Sequence, residues 1–178
     1  MKKLVFLLEE PSMKELLDIL LPKVLPPEIE FLTIPHEGKQ DLEKSIPRKL
    51  KAWQEPGVQF IIMRDQDSAD CIDVKNRLLE LCRQAGRKDS LVRIVCHELE
   101  SWFLGDLVAV AHAYDDQSIA KLRGKSKYRN PDMIPNAAQE MKKIVQGYQK
   151  IQGARSIAEY ISVERNRSNN FLCICGGR

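Results

Sequence analysis

Apolar runs that do not alternate, each breaking off abruptly into polar residues, set the rhythm of the first two-thirds of the chain. Leu4–Leu8 meets Glu9, Glu10, Pro11 and Ser12. The run of Val58, Phe60, Ile61, Ile62 and Met63 meets Arg64, Asp65, Gln66 and Asp67. Leu91–Val95, interrupted only by Arg93, meets His97, Glu98, Leu99 and Glu100. Runs of this kind predict central strands of a parallel sheet covered on both faces. Ile29–Ile34 alternates weakly and predicts a further strand, closed by Pro35. Helical patterns fill the gaps. One runs from a Ser12 cap to Leu21 and is stopped by Pro22; a second follows the turn His36-Glu37-Gly38-Lys39 and continues through Trp53, tolerating Pro47. A third, Ala69–Ala85, carries the apolar stripe Cys71, Val74, Leu78, Leu81, Cys82 and Ala85 between a Ser68 cap and Gly86. Leu99, Phe103 and Leu107, with Trp102 beside them, mark an apolar helical face after the last of these strands.

The order βαβαβαβ predicts an α/β fold with a mostly parallel, Rossmann-like sheet and helices on both faces. After Tyr114 the pattern changes. Lys121 to Pro131 is basic and lacks an apolar face; short helices are expected at Asn136–Gln146 and Ala154–Tyr160, and a final strand at Phe171–Cys175. The expected organisation is an α/β core over residues 1–114 and a basic helical extension over 115–178 packed on it, one domain in all.

Composition narrows the class. At 178 residues, 43% hydrophobic and 30% charged, the chain can bury a sizeable core. Leu4–Leu8 is far too short to span a membrane, and its collision with Glu9-Glu10 favours a strand over a leader segment. The five cysteines (Cys71, Cys82, Cys96, Cys173, Cys175) form no CxxC pair, which fits reduced thiols and a cytoplasmic location. The net charge of +3 hides an asymmetry: residues 1–120 hold 16 Lys+Arg against 21 Asp+Glu, residues 121–178 hold 12 against 4. An acidic front and a basic back suit cations at one end and a polyanion at the other, although uneven charge on a solvated surface is the plainer account.

The chemistry collects where three predicted parallel strands end: Glu9 and Glu10, Asp65 and Asp67, Glu98 and Glu100. Ligands of open α/β sheets bind beyond the carboxyl ends of the strands. Neighbouring carboxylates repel unless a proton or cation intervenes, and hard oxygen ligands suit Mg²⁺ or Mn²⁺. The plainer alternative is that some of these acids cap helices, Glu10 and Glu98 being the readiest examples. Lys39, after Gly38, is placed to meet a phosphate at the same rim or to be a solvated loop lysine; the segment is not a Walker motif. His36 and His97 lack spaced partners, so no zinc site is expected. Arg64 is a candidate structural partner for the acids. Lys121, Arg123, Lys125, Lys127 and Arg129 are candidates for neutralising a nucleic-acid backbone, with Tyr128 stacking on a base. Trp53 and Trp102 sit on apolar faces and are expected in the core.

The segments LLEEPSMKELL, IPHEGKQDL, MRDQDSADC, HELESWFLGD and YQKIQGARSIA, with Arg167, Ser168 and Phe171, cover most of the chain. Together they resemble the Toprim domain of topoisomerases, primases and OLD-type nucleases, and more closely the small bacterial Toprim-like proteins classed as a domain of unknown function, often encoded beside an AAA or SMC-like ATPase. The resemblance implies that Glu9 is a general acid or base and metal ligand, that Asp65 and Asp67 bind metal, and that Glu98 and Glu100 are the acids of the next strand. It implies a Mg²⁺- or Mn²⁺-dependent nuclease acting on DNA or RNA, compatible with a homo-oligomer and with an ATPase partner in defence against phage; the alternative is a non-catalytic module held by such an ATPase. Toprim proteins usually place Gly after the glutamate, and relatives often place a second acid shortly beyond; this chain has Glu10 and Met13 there. A response-regulator receiver is a third, weaker reading: it needs a lysine where Glu98 and Glu100 stand.

Overall fold

The computed structural model describes residues 3–175. Four strands, β1 (Lys3–Leu8), β2 (Glu30–Pro35), β3 (Val58–Asp65) and β4 (Leu91–Val95), form one parallel sheet in the order β2-β1-β3-β4. The register pairs Leu8 with Pro35 on one side and with Met63 on the other, and Asp65 with Val95. The three acid-tipped strands are therefore neighbours, and their carboxyl ends form one edge.

Successive side chains of a strand face opposite sides of the sheet, and each side here has its own core. Val5, Leu7, Phe60, Ile62 and Val92 pack with α2 (Lys39–Ala52) and α3 (Cys71–Gln84). Phe6, Leu8, Met63 and Val95 pack with α1 (Pro11–Val24), α4 (Glu100–Gly105), α5 (Leu107–Ala113), α7 (Ala137–Ile144) and α8 (Lys150–Ala158). Burial on both faces explains why the strands read as continuous apolar runs. The segments before and after Tyr114 share this second core, with α8 lying along α1 and α5. Trp102 is fully buried against Phe171, and Trp53 packs edge-on to Phe60, as their apolar surroundings in sequence suggest. Among the described residues no helix is long and apolar enough to cross a membrane.

Several local expectations are corrected. The first helix passes through Pro22 to Val24 rather than stopping at it, and Ser12 lies inside that helix. Its proline falls in the last turn, where little helix remains to be broken. Asp70, not Ser68, caps α3: its carboxylate accepts the amides of Ile72 at 2.8 Å and Asp73 at 3.1 Å. The basic stretch is a short helix, α6 (Gln117–Lys121), followed by 3₁₀ turns at Leu122–Gly124 and Ser126–Tyr128. The last element is a helix, α9 (Asn169–Ile174), and not a strand. Ser168 caps it by accepting the Phe171 amide at 3.0 Å, and Asn170 turns back to donate to the Ile94 carbonyl at 2.9 Å. A two-residue alternation over five positions carries less weight than that cap.

A carboxylate rim at the sheet edge

Glu9 follows β1, Asp65 ends β3 and Glu100 opens α4 after β4, and all three are buried, at 9%, 4% and 1% exposure. Glu9 is locked by its neighbour strand: its amide donates to the Met63 carbonyl at 3.1 Å and its Oε2 accepts the Asp65 amide at 2.9 Å. The Gly38 amide, at the start of α2, donates to the Glu9 carbonyl at 2.9 Å. Gly38 has φ +97, a conformation side chains resist, so the glycine suits that approach.

Two carboxylate oxygens at this rim, Asp65 Oδ1 and Glu100 Oε2, are buried without a hydrogen-bond partner. Glu100 Oε1 accepts the Tyr148 hydroxyl at 3.1 Å, while its Oε2 stands 3.9 Å from Lys150 Nζ, beyond hydrogen-bond reach. Lys150 also faces Glu10 Oε2 at 3.5 Å. Burial, reinforced by Glu10 and Glu9, pushes the Asp65 carboxyl well above the ordinary aspartate range. Burial also raises Glu100 against the opposing pull of Lys150, and raises Glu9 against its bond from the Asp65 amide. For Lys150 burial works downward, but Glu100, Glu10 and Asp65 outweigh it and hold the ammonium above its usual value. Tyr148 is pushed up by burial and by Glu100, so it stays a phenol and donates.

The remaining sequence candidates take distinct places. Asp67 sits on the rim in the left-handed region (φ 55), its amide donating to the His97 carbonyl at 2.9 Å and its Oδ2 accepting Lys39 Nζ at 3.2 Å. Glu98 does cap a helix, but a distant one: Oε2 accepts the Ala138 amide of α7 at 2.9 Å. Glu10 occupies the N-cap position of α1 without capping it through its side chain; that carboxylate accepts from Ser12 and faces Lys150. Met13, where an acid was expected by resemblance, is fully buried in the core. His36 is buried at the β1–β2 tips, its Nδ1 on the Leu8 carbonyl at 2.8 Å and its Nε2 against Ser45 Oγ at 2.7 Å, a brace between strand and helix. His97 lines a cavity of about 460 Å³ beside Asp67 and Glu98.

The basic segment does not reach the rim by any polar contact among the described residues. Tyr128 is buried and donates to Glu140 at 2.6 Å, which removes it as a stacking platform. Lys127 pairs with Glu140 at 2.6 Å. Lys121, Arg123, Lys125 and Arg129 are exposed. Arg64 does pair with the acids: it lies 3.8 Å from Glu9 and bonds Glu43 at 2.7 Å.

Lys150 and Tyr148 open the segment YQKIQGARSIA, part of the resemblance, but nothing in their charge or spacing assigns them to the rim. They come from the first residue of α8 and the turn before it, more than fifty residues past β4, and the packing of α8 on α1 delivers them. Among the described residues, no three His, Cys, Asp or Glu side chains stand grouped as a metal site in this arrangement. What the described residues offer is carboxylate oxygen, the donor type of a hard cation, with Asp65 Oδ1 and Glu100 Oε2 buried and unpartnered, but not three side chains grouped to hold one.

A doubly covered parallel α/β sheet with a carboxylate-lined edge at its strand ends defines the class of protein. The chain belongs to the family described as a domain of unknown function, DUF4276, whose model matches residues 8–173. No curated protein and no solved structure matches the chain.

Proposed function

We propose that this protein is a Toprim-like, Mg²⁺- or Mn²⁺-dependent enzyme that cleaves phosphodiester bonds in DNA or RNA. The observation that carries the reading is the pair of orphaned oxygens, Asp65 Oδ1 and Glu100 Oε2, facing a shared edge. A buried acceptor without a partner costs roughly 1–3 kcal/mol, more when charged, and persists where something else meets it. Asp65, Glu100 and Asp67 would hold the cation, with Glu9 beside them. When bound, such an ion activates water and stabilises the leaving oxygen. Glu9, held above the ordinary glutamate range by burial, retains a proton more readily and suits a general acid or base. Lys150 supplies a positive charge at the same edge for a phosphate oxygen. The exposed cations Lys121, Arg123, Lys125 and Arg129 offer backbone contacts further off.

The test is cleavage of single- and double-stranded DNA and RNA by the purified chain with Mg²⁺ or Mn²⁺. Asp65→Asn should lower the rate at least about 10³-fold without unfolding the protein, the scale of losing a main electrostatic contributor. A wild type inert on every substrate with both ions would overturn the proposal.

Lys150 itself favours a second reading, since it neutralises part of the rim with no ion at all. On that reading the chain is a non-catalytic module held by an AAA or SMC-like ATPase. Co-purification with such an ATPase, and a cellular phenotype indifferent to Asp65→Asn, would select it.

A further inference from the structure

Beside the rim, a cavity of about 460 Å³ opens between the loop after β3, the loop after β4 and the turn before α7, and its polar lining is Gln66, Asp67, Ser68, His97, Glu98 and Asn136. The two loops hold each other. The Gln66 amide donates to the Val95 carbonyl and the Asp67 amide to the His97 carbonyl, both at 2.9 Å, while Gln66 Oε1 accepts the His97 amide at 3.4 Å. Asp67 and His97 both lie in the left-handed region, each at φ 55. Such a conformation costs on the order of 1–3 kcal/mol per residue and persists where the surrounding contacts impose it. Glu98 ties in the third wall, its Oε2 accepting the Ala138 amide of α7 at 2.9 Å.

That bracing leaves a particular set of groups unspent. Among the described residues, the Ser68 hydroxyl, the Asn136 carboxamide, the His97 imidazole and the second oxygens of Glu98 and Asp67 make no hydrogen bond. No lysine or arginine lines the cavity, so a phosphate there would meet two carboxylates and no cation. An apolar ligand would bury these polar groups unmet. Two spare carboxylate oxygens call for donors, while the hydroxyl, carboxamide and imidazole can each donate or accept. A sugar hydroxyl beside a heterocyclic base answers that set, and the volume lies in the range of small-ligand sites, roughly 300–1,000 Å³. The same two loops lead from Asp65 to Asp67 and from Glu98 to Glu100, so a phosphate held at the rim brings its own sugar to this cavity.

We infer that this cavity is the sugar subsite of a ribonucleotide: the spare carboxylate oxygen of Glu98 accepts the 2′-hydroxyl of the nucleotide whose phosphate meets the rim, and His97 and Asn136 are left for its base. The inference rests on the phosphodiester reading of the rim and chooses between its two polynucleotides, since only RNA carries that hydroxyl. Glu98 is the position at which to test it. Glutamine there keeps one oxygen for the Ala138 amide while the other position becomes an NH₂, so the cap of α7 is retained and the acceptor is lost.

The experiment is equilibrium binding of a short fluorescein-labelled single strand to the full chain in EDTA, with one sequence made as RNA, as 2′-fluoro RNA and as DNA. The 2′-fluoro strand keeps an RNA-like sugar but lacks the donor. Wild type should bind RNA about tenfold more tightly than either other strand, the scale of one hydrogen bond to a charged group. Glu98→Gln should bring the three affinities within about twofold of one another. Its lost negative charge strengthens all three strands alike, so the ratio reads the hydroxyl alone. Asn136→Ala should weaken all three together. If wild type binds the three strands equally, or if its preference survives in Glu98→Gln, the cavity does not read the sugar, and the reading of the rim stands with either polynucleotide. If wild type binds no strand, adenosine and 2′-deoxyadenosine are compared by saturation-transfer nuclear magnetic resonance. Adenosine bound in preference, and lost in Glu98→Gln, keeps the sugar site while the polynucleotide reading fails; no preference ends both.

Discussion

Asp65 and Asp106 are both aspartates sealed inside this protein, at 4% and 2% exposure, and their surroundings differ in one respect. Asp106, between α4 and α5, has every need met. Its Oδ1 accepts the Ala109 amide at 3.2 Å and Arg165 Nε at 3.3 Å, and its Oδ2 accepts the Ser162 amide at 3.0 Å and Arg165 Nη2 at 3.1 Å. Asp65 has an oxygen with no partner, and Glu10, Glu9 and Glu100 act on it against the opposing pull of Lys150. The first aspartate is a structural knot tying the helical C-terminal half together. The second carries an electrostatic cost that the fold alone does not relieve. A buried carboxylate is thus informative through its unfilled valences, and burial by itself says little.

Substitution should separate the two regions in sign as well as size. Asp106→Ala leaves the Ala109 and Ser162 amides without their acceptor and takes the partner from the exposed Arg165, and should destabilise the fold by about 2–4 kcal/mol in denaturant melts. Asp65→Asn should do the reverse at neutral pH, stabilising by roughly 1–3 kcal/mol, since it removes an unpartnered buried charge. The pH dependence fixes the cause. With its folded value raised above the ordinary 3.8, Asp65 contributes fully to stability only below that value, and the contribution is lost as pH rises through the raised one. The advantage of Asp65→Asn should therefore be largest at neutral pH and vanish in acid; an advantage independent of pH would contradict the assignment.

Smaller effects sharpen the picture. Gly153 lies behind Tyr148, and a methyl group there would come within 2.4 Å of that ring and 3.0 Å of the Tyr114 hydroxyl. Gly153→Ala should cost about 1–3 kcal/mol by overpacking and, by moving Tyr148 off Glu100, weaken any cation held at the rim. Lys125→Gln, on the exposed basic turn, should leave stability within about 0.5 kcal/mol. A larger change in thermal melts would mean that the turn has a structural role these contacts do not show.

The strands and the three acidic tips were legible in the sequence for one physical reason. A strand buried on both faces must be apolar throughout, so the residue at which polarity returns marks the sheet edge where a site can sit. Adjacency of the tips also followed once the order β2-β1-β3-β4 put β1, β3 and β4 side by side. What the sequence hid came from tertiary packing. Lys150 and Tyr148 reach the rim only because α8 docks on α1. Tyr128, read from its basic neighbours as a surface aromatic, is drawn inside by Glu140. Arg64 and Arg77 become a pair only through Glu43 of a different helix. The final helix is hidden because Phe171–Cys175 alternates like a strand, while the Ser168 cap that starts the helix lies three residues earlier.

The central claim is that the rim is short of positive charge and takes up a divalent cation. Electron paramagnetic resonance reads it directly, through the loss of the free Mn²⁺ signal as protein is added at neutral pH. The account predicts at least one Mn²⁺ per chain for the wild type and a loss of that binding in Asp65→Asn. A wild type that leaves the Mn²⁺ signal untouched up to millimolar protein, or an Asp65→Asn variant that binds as well as wild type, would contradict it.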